Sequence, residues 1–186
     1  MDGGRILFVT GNEHKRREVR EILGVDLEAA DLDVPEVQAV DPAEAAVAKV
    51  LAAREVLGSP PAYVLAEDSG ISVDAWNGFP GALTKWLMSS VGNEGFLRML
   101  SGFEDRSARA VCVAAVATPD GRVEVFRGEV GGAVAFEARG EGGFGYDPVF
   151  VPEWSEKTYA ELGEEKNRDS HRARAFRALR GWLEGA

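Results

Sequence analysis

Four segments of the chain carry residues whose types and spacing could do chemistry. Glu67-Asp68-Ser69-Gly70 closes an apolar run, Ala62 to Ala66, that reads as a strand. If the backbone stays extended, adjacent carboxylates point to opposite sides, so one can face a cleft while the other braces the structure. A hard cation such as Mg²⁺ takes one or two carboxylates together with phosphate oxygens and water, which is chemistry this pair would suit. A polar turn between strands, with Asp68 and Ser69 satisfying backbone groups, is the other reading. Thr10-Gly11-Asn12-Glu13-His14-Lys15 lies where a strand passes into a helix. Such a turn offers free N–H groups and the positive helix end to an anion, and Lys15 adds a mobile charge. The spacing is neither that of a Walker A loop nor that of the dinucleotide fingerprint, and an ordinary turn with a solvated helix surface stands as the alternative.

Gly142-Gly143-Phe144-Gly145-Tyr146-Asp147-Pro148 places glycines around two aromatic rings. That composition suits a loop bringing rings and backbone close to a flat ligand, or a β-bulge whose rings fill core. Lys166-Asn167-Arg168-Asp169-Ser170-His171-Arg172 precedes the last helix, with Ser170 as its N-cap. Cations in a first helical turn oppose the dipole, so His171 and Arg172 there invite a functional reason; a solvated polar turn is the bland one. Two histidines and the single Cys112 lack zinc-site spacing, and no Gly-x-Ser-x-Gly elbow occurs.

The elements that must position these groups alternate between strand and helix. Arg5 to Thr10 reads as a buried strand, Glu13 to Leu23 as a helix with Val19, Ile22 and Leu23 on its apolar face, and Gly24 as its stop. Leu27 to Leu32 is a candidate second strand. Asp41-Pro42 starts a helix through Leu57 with an N-cap and a first-turn proline. Ile71 to Asp74 continues as strand, Asn77 to Gly81 reads as a loop, and helices follow at Leu83–Val91 and Glu94–Leu100. Strands Ala108–Thr118 and Arg122–Phe126 or beyond flank Pro119-Asp120-Gly121, a hairpin signal. Val149 to Val151 reads as a short strand, and Ala175, Phe176, Leu179, Trp182 and Leu183 mark a C-terminal amphipathic helix. The sum is a mixed α/β or α+β domain whose strand order periodicity leaves open.

Composition narrows the partners. The chain has 186 residues, 45% of them hydrophobic, enough for one domain with a substantial core and too much for a disordered segment. Thirty-one acids against twenty-one bases give a net charge of -10, which disfavours a nucleic-acid polymer but leaves room for a small anion in a local cluster of cations. Those cations are sixteen arginines and only five lysines, Lys15, Lys49, Lys85, Lys157 and Lys166. Lysine kept so sparingly suits positions needing a compact ammonium, or reflects composition bias alone. No run is long enough to cross a bilayer, Met1-Asp2-Gly3-Gly4 does not open like a signal peptide, and a lone cysteine fits a reducing compartment.

Taken in order, Thr10-Gly11-Asn12 with Lys15, Glu67-Asp68-Ser69-Gly70 followed by Gly78-Phe79-Pro80-Gly81, Gly143-Phe144-Gly145-Tyr146-Asp147-Pro148, and Ser170-His171-Arg172 resemble the Ham1, or inosine triphosphate pyrophosphatase, family. The resemblance runs from Ile6 to Leu183. It implies a single domain over residues 1–186, an elongated α/β fold with a mixed sheet, flanking helices and two lobes around a nucleotide-binding cleft. It also implies Mg²⁺-dependent hydrolysis of the deaminated purine nucleotides ITP, dITP and XTP to monophosphate and pyrophosphate, by a cytoplasmic homodimer.

By position, Thr10, Gly11, Asn12 and Lys15 would hold the triphosphate, with Ser69, Lys49, Lys85 and Lys166 completing its site. Glu36 and Asp68 would hold the metal, with Glu67 as a further carboxylate and Asp68 also the base for the attacking water. Phe144, Gly145, Tyr146 and Asp147 would embrace the base, and His171 with Arg172 would read its 6-oxo edge. A donor-only Arg172 would be satisfied by that oxygen and left unpaired by adenine's amino group. Where the family most often has Asp-Asp-Ser-Gly, this chain has Glu67 in the first place. A Maf-type pyrophosphatase of other nucleotides and a non-catalytic nucleotide sensor are the rival readings.

Overall fold

A computed structural model of the chain describes residues 5–24 and 27–185. Met1 to Gly4, on which the reading of the N-terminus rested, lie outside the described residues. The elements run β1 (Ile6–Val9), α1 (Glu13–Leu23), β2 (Glu28–Ala30), α2 (Pro42–Val56), β3 (Tyr63–Val73), β4 (Pro80–Gly81), α3 (Thr84–Met99), β5 (Ser107–Ala117), β6 (Val123–Val134), β7 (Phe150–Pro152), α4 (Tyr159–Leu162) and α5 (His171–Gly185). One mixed sheet in the order β2-β1-β3-β5-β6-β7 forms the frame, parallel where β1 meets β2 and β3 and antiparallel elsewhere, with β4 paired to β3. The expected α/β class with flanking helices is the observed one.

Local chemistry accounts for the element ends. Asp41 caps α2 by accepting from Ala43 N, with Pro42 at the first position. Gly24 closes α1 at φ 69, and Ser170 Oγ accepts from Ala173 N at the start of α5. Asp120-Gly121 turns β5 into β6, with Gly121 at φ 91. The two helices expected between Leu83 and Leu100 form α3, broken at Gly92 (φ 64, ψ -175).

Of the two readings of Glu67 to Gly70 the extended one is observed: β3 runs through it, fully paired with β5 from Val64 to Val73. Two differences from expectation have physical causes. Pro80-Gly81, expected in a loop, pairs with Ile71 and Ser72; a Cβ on Gly70 would collide with the Gly81 carbonyl oxygen, so only glycine admits that approach. Tyr159–Leu162 forms a short helix under a Thr158–Glu161 capping box.

The core lies in three parts. Val50, Ala53, Val64, Ala66 and Val113 pack α2 on one face of the sheet. Phe8, Val19, Leu65, Phe176 and Leu179 pack α1 and α5 on the other, each large side chain stabilising the fold by roughly 1.5–3 kcal/mol. Ile71, Val73, Phe96, Phe150 and Tyr159 fill the third, under α3. Along β3 the first two parts end at Leu65 and Ala66 and the third begins at Ile71, so residues 67–70 sit where the cores part. Among the described residues no helix is long and apolar enough to cross a membrane.

Candidate active site

A cleft of about 800 Å³ opens at that parting and is lined by strand ends, helix starts and two loops. Because β3 stays extended, its two acids take opposite sides. Asp68 faces the cleft, together with Thr10, Lys15, Glu36, Lys49 and Lys85. Glu67 turns inward and is 2% exposed.

Glu67 is the first link of a buried ladder of alternating charge. Lys15 Nζ lies 2.6 Å from Glu67 Oε1, Arg172 Nε donates to Glu67 Oε2 at 3.1 Å, and Arg172 Nη1 donates to Glu18. Lys166 Nζ then bridges Glu18 at 2.7 Å and Asp147 at 2.5 Å. Burial alone would raise the Glu67 carboxyl, but Arg172 and Lys15 hold it well below the usual carboxylate range. The Cys112 thiol also donates to Glu67 Oε2, at 2.9 Å, and burial pushes that thiol up. Buried pairs of this kind add little net stability, yet removing one partner strands the other and costs about 3–5 kcal/mol. The ladder's product is therefore fixed geometry for Arg172 and Lys15.

Two expectations are corrected here. Glu67 supplies no cleft carboxylate, since the strand's alternation turns it into the ladder. Lys166, expected at the phosphates, is 4% exposed and locked between Glu18 and Asp147, away from the cleft lining. Glu18 went unread because it counts among the charges of α1 that lie off the Val19, Ile22 and Leu23 face, yet it is buried beside Val19.

The cationic part of the cleft assembles from three elements. Asn12 caps α1, its Oδ1 accepting from His14 N at 3.0 Å and Lys15 N at 3.2 Å. Those two amides are thus taken by the chain itself, and Lys15, 17% exposed at its side chain, supplies the positive charge. Lys49 comes from α2 and Lys85 from α3, and both reach Glu36, at 3.4 and 3.5 Å. Those cations hold Glu36 below its usual value against the opposing effect of burial. Asp68 is different. It has no ion pair within 4.0 Å among the described residues, and burial pushes it up to about 6, with Lys15 pulling the other way.

No group of three or more His, Cys, Asp or Glu among the described residues is disposed to hold a metal alone. Glu36 and Asp68 are two oxygen donors on one cleft, and such a pair leaves positions to phosphate oxygens and water, as Mg²⁺ prefers.

The remaining wall carries the rings. Gly143 (φ 74) and Gly145 (φ 61) flank Phe144, and a Cβ on Gly143 would strike the Asp147 carboxylate. Phe144 N donates to Asp147 Oδ2 at 2.9 Å, so the aromatic loop is tied to the ladder through Asp147. Phe144 is half-buried at the cleft; Tyr146 is core, its hydroxyl 3.1 Å from His171 Nε2. Burial, with Arg172 and Lys166 nearby, holds His171 well below its ordinary value, so it is neutral, and its Nδ1 has no partner. The cationic first turn of α5 is thereby explained: His171 is uncharged and Arg172 is neutralised by Glu67 and Glu18. Arg172 Nη2 also donates to Ser69 Oγ at 3.0 Å, so its donors are largely spent within the protein. The sequence argument that adenine would leave Arg172 unpaired loses its force, and His171 Nδ1 is the unpartnered atom on this wall.

A model of the Ham1 family matches residues 6–182. This chain belongs to the Ham1 family. It is 43% identical over 182 residues to the dITP/XTP pyrophosphatase of Methanopyrus kandleri, covering 96% of this chain and 95% of that protein. To the inosine triphosphate pyrophosphatase of Kluyveromyces lactis it is 41% identical over 191 residues, covering 98% and 97%. The solved Ham1 protein of Staphylococcus aureus superposes with a TM-score of 0.82 at 34% identity, covering 97% of this chain and 98% of that one. The motifs at Thr10–Lys15, Glu67–Ser69, Phe144–Asp147 and His171–Arg172 fall at the cleft or directly behind it.

Proposed function

We propose that this chain hydrolyses the deaminated purine nucleotides ITP, dITP and XTP to their monophosphates and pyrophosphate. The observation that carries the reading is the meeting, in one cleft, of an unpaired carboxylate, three lysines and a wall of rings. Relatives at 41–43% identity over nearly the whole chain, named for dITP, XTP and inosine triphosphate, support it.

A triphosphate brings about four negative charges, which Lys15, Lys49 and Lys85 oppose. Preorganised charge of this kind stabilises the charge that develops on the phosphorus and the departing pyrophosphate. Asp68 accepts the proton of the attacking water; a base near neutrality in its free state is suited to that task. Glu36 and Asp68 would hold Mg²⁺. The ion supplies charge neutralisation on the phosphate oxygens when bound.

Phe144 offers a face for the base. Tyr146 Oη has one proton and two neighbours, the Gly70 carbonyl at 3.4 Å and His171 Nε2 at 3.1 Å; in the tautomer in which it donates to the nearer Nε2, His171 Nδ1 carries the proton and donates to an acceptor at C6, which inosine and xanthine have and adenine lacks. The protein acts as a homodimer in the cytoplasm: Phe103, Phe136 and Trp154 supply exposed apolar surface, and Cys112 is a buried free thiol that suits a reducing compartment.

Pyrophosphate release measured on ITP, dITP, XTP, ATP, UTP and dTTP, with and without Mg²⁺, tests the reading. Release from the first three with Mg²⁺ supports it. Preference for UTP or dTTP would favour a Maf-type activity, and binding of ITP without release would favour a sensor.

A further inference from the structure

In the cleft His14 lies face to face with Phe144, ring centroids 5.1 Å apart and planes inclined by 19°. The two rings come from different walls, His14 from the first turn of α1 and Phe144 from the glycine-flanked loop before β7. They differ in freedom. Lys166 Nζ and Arg172 lie 5.2 and 5.7 Å from the Phe144 centroid, and both belong to the buried ladder. Its backbone is tied at Phe144 N to Asp147 and at the next carbonyl, Gly145 O, to Asn93 Nδ2 at 3.1 Å. His14 is exposed, and its imidazole makes no hydrogen bond among the described residues; only its backbone is fixed, through Asn12.

A flat base stacks at about 3.5 Å from each neighbouring ring, so a base between these two needs their centroids roughly 7 Å apart. Phe144 is tied through its backbone and packed against two ladder cations, so it cannot retreat. His14 has solvent at its back and can. We propose that His14 and Phe144 form a clamp for the nucleobase, with Phe144 the fixed inner jaw and His14 the outer jaw that moves aside to admit the base. The proposal rests on the nucleotide reading above and deepens it, by giving the base a second stacking face. A two-faced slot rewards ring area, so it favours the bicyclic purine over a pyrimidine.

Loss of one stacking face, offset by release from the His14–Phe144 contact that binding must break, leaves a net effect of about three- to tenfold. The test compares wild type, His14→Ala and His14→Phe, measuring kcat and KM for ITP and the inhibition constant of inorganic tripolyphosphate, which has no base. The clamp predicts that His14→Ala raises KM for ITP by about three- to tenfold, with kcat and the tripolyphosphate constant held within about twofold, and that His14→Phe restores KM. An unchanged or lowered KM in His14→Ala overturns it. So does a parallel shift for tripolyphosphate, which would place the effect at the phosphates, and so does failure of His14→Phe to restore KM. A wild type that releases no pyrophosphate from ITP would count against the hydrolase reading instead; the same two variants then test the clamp through calorimetric affinity for IMP.

Discussion

Asp68→Asn should make the protein more stable while stopping its chemistry. The carboxyl is raised from 3.8 to about 6 because it is desolvated without an ion pair, so at neutral pH the folded state bears a cost that the unfolded state does not. A rise of roughly two pH units corresponds to ~3 kcal/mol, and partial solvent access reduces this to ~1–2 kcal/mol. For a chain of this size that is about 2–8 °C in Tm. The sign fixes the pH dependence. A group whose folded pKa is raised has its full relative stability at low pH and loses it as pH rises through about 6. The gain from asparagine is therefore largest above pH 7, about half as large at pH 5, and about a fifth as large at pH 4. Thermal melts of both proteins at pH 8 and pH 5, without divalent cation, measure it. Turnover of ITP should fall by about 10²–10⁴ in the same variant. A lower Tm at pH 8, or a gain independent of pH, would refute the account of Asp68 as an unpaired buried carboxylate, and a near-normal rate would show that another group is the base.

Glu18→Gln leaves Arg172 and Lys166 without their shared acid and should cost about 3–5 kcal/mol in chemical denaturation; a loss under about 1 kcal/mol would mean the ladder relaxes around the gap. His171→Phe should lower the kcat/KM preference for ITP over ATP by about tenfold or more, and an unchanged ratio would remove His171 from base reading. It is a cleaner test than Arg172→Ala, which also strands Glu67 and Glu18. The acid limb of kcat/KM should lie near pH 6 at low Mg²⁺ and move to lower pH as Mg²⁺ rises, because a cation beside Asp68 favours its ionised form; chelation should abolish turnover.

Much of the frame was legible because local rules and the tertiary structure agree. Asp41-Pro42, Gly24 and Asp120-Gly121 set element ends by backbone chemistry that tertiary packing does not alter. The opposite facing of Glu67 and Asp68 followed from the period of an extended strand. What escaped was chemistry visible only across the fold. Residues 67–70 left a turn open because charge is rare inside a strand, and it is Arg172 and Lys15, both distant in sequence, that make Glu67 tolerable there. Glu18 and Lys166 are likewise buried because they neutralise each other within a ladder that Arg172 and Asp147 complete. The helix at Tyr159 could have been found, since Thr158 and Glu161 stand at capping-box spacing. The His14–Phe144 contact has no sequence signal, because it joins two walls that only the folded chain brings together.

The central claim is that Asp68, Glu36 and the lysines on one side, and Phe144 and His171 on the other, serve a single bound nucleotide. A crystal structure with Mg²⁺ and a non-hydrolysable α,β-imido analogue of ITP tests it most directly. The account predicts the inosine ring on Phe144 with O6 toward His171, the phosphates among Lys15, Lys49 and Lys85, and the ion against Asp68 and Glu36. A nucleotide bound outside this cleft, or an ion touching neither carboxylate, would contradict it.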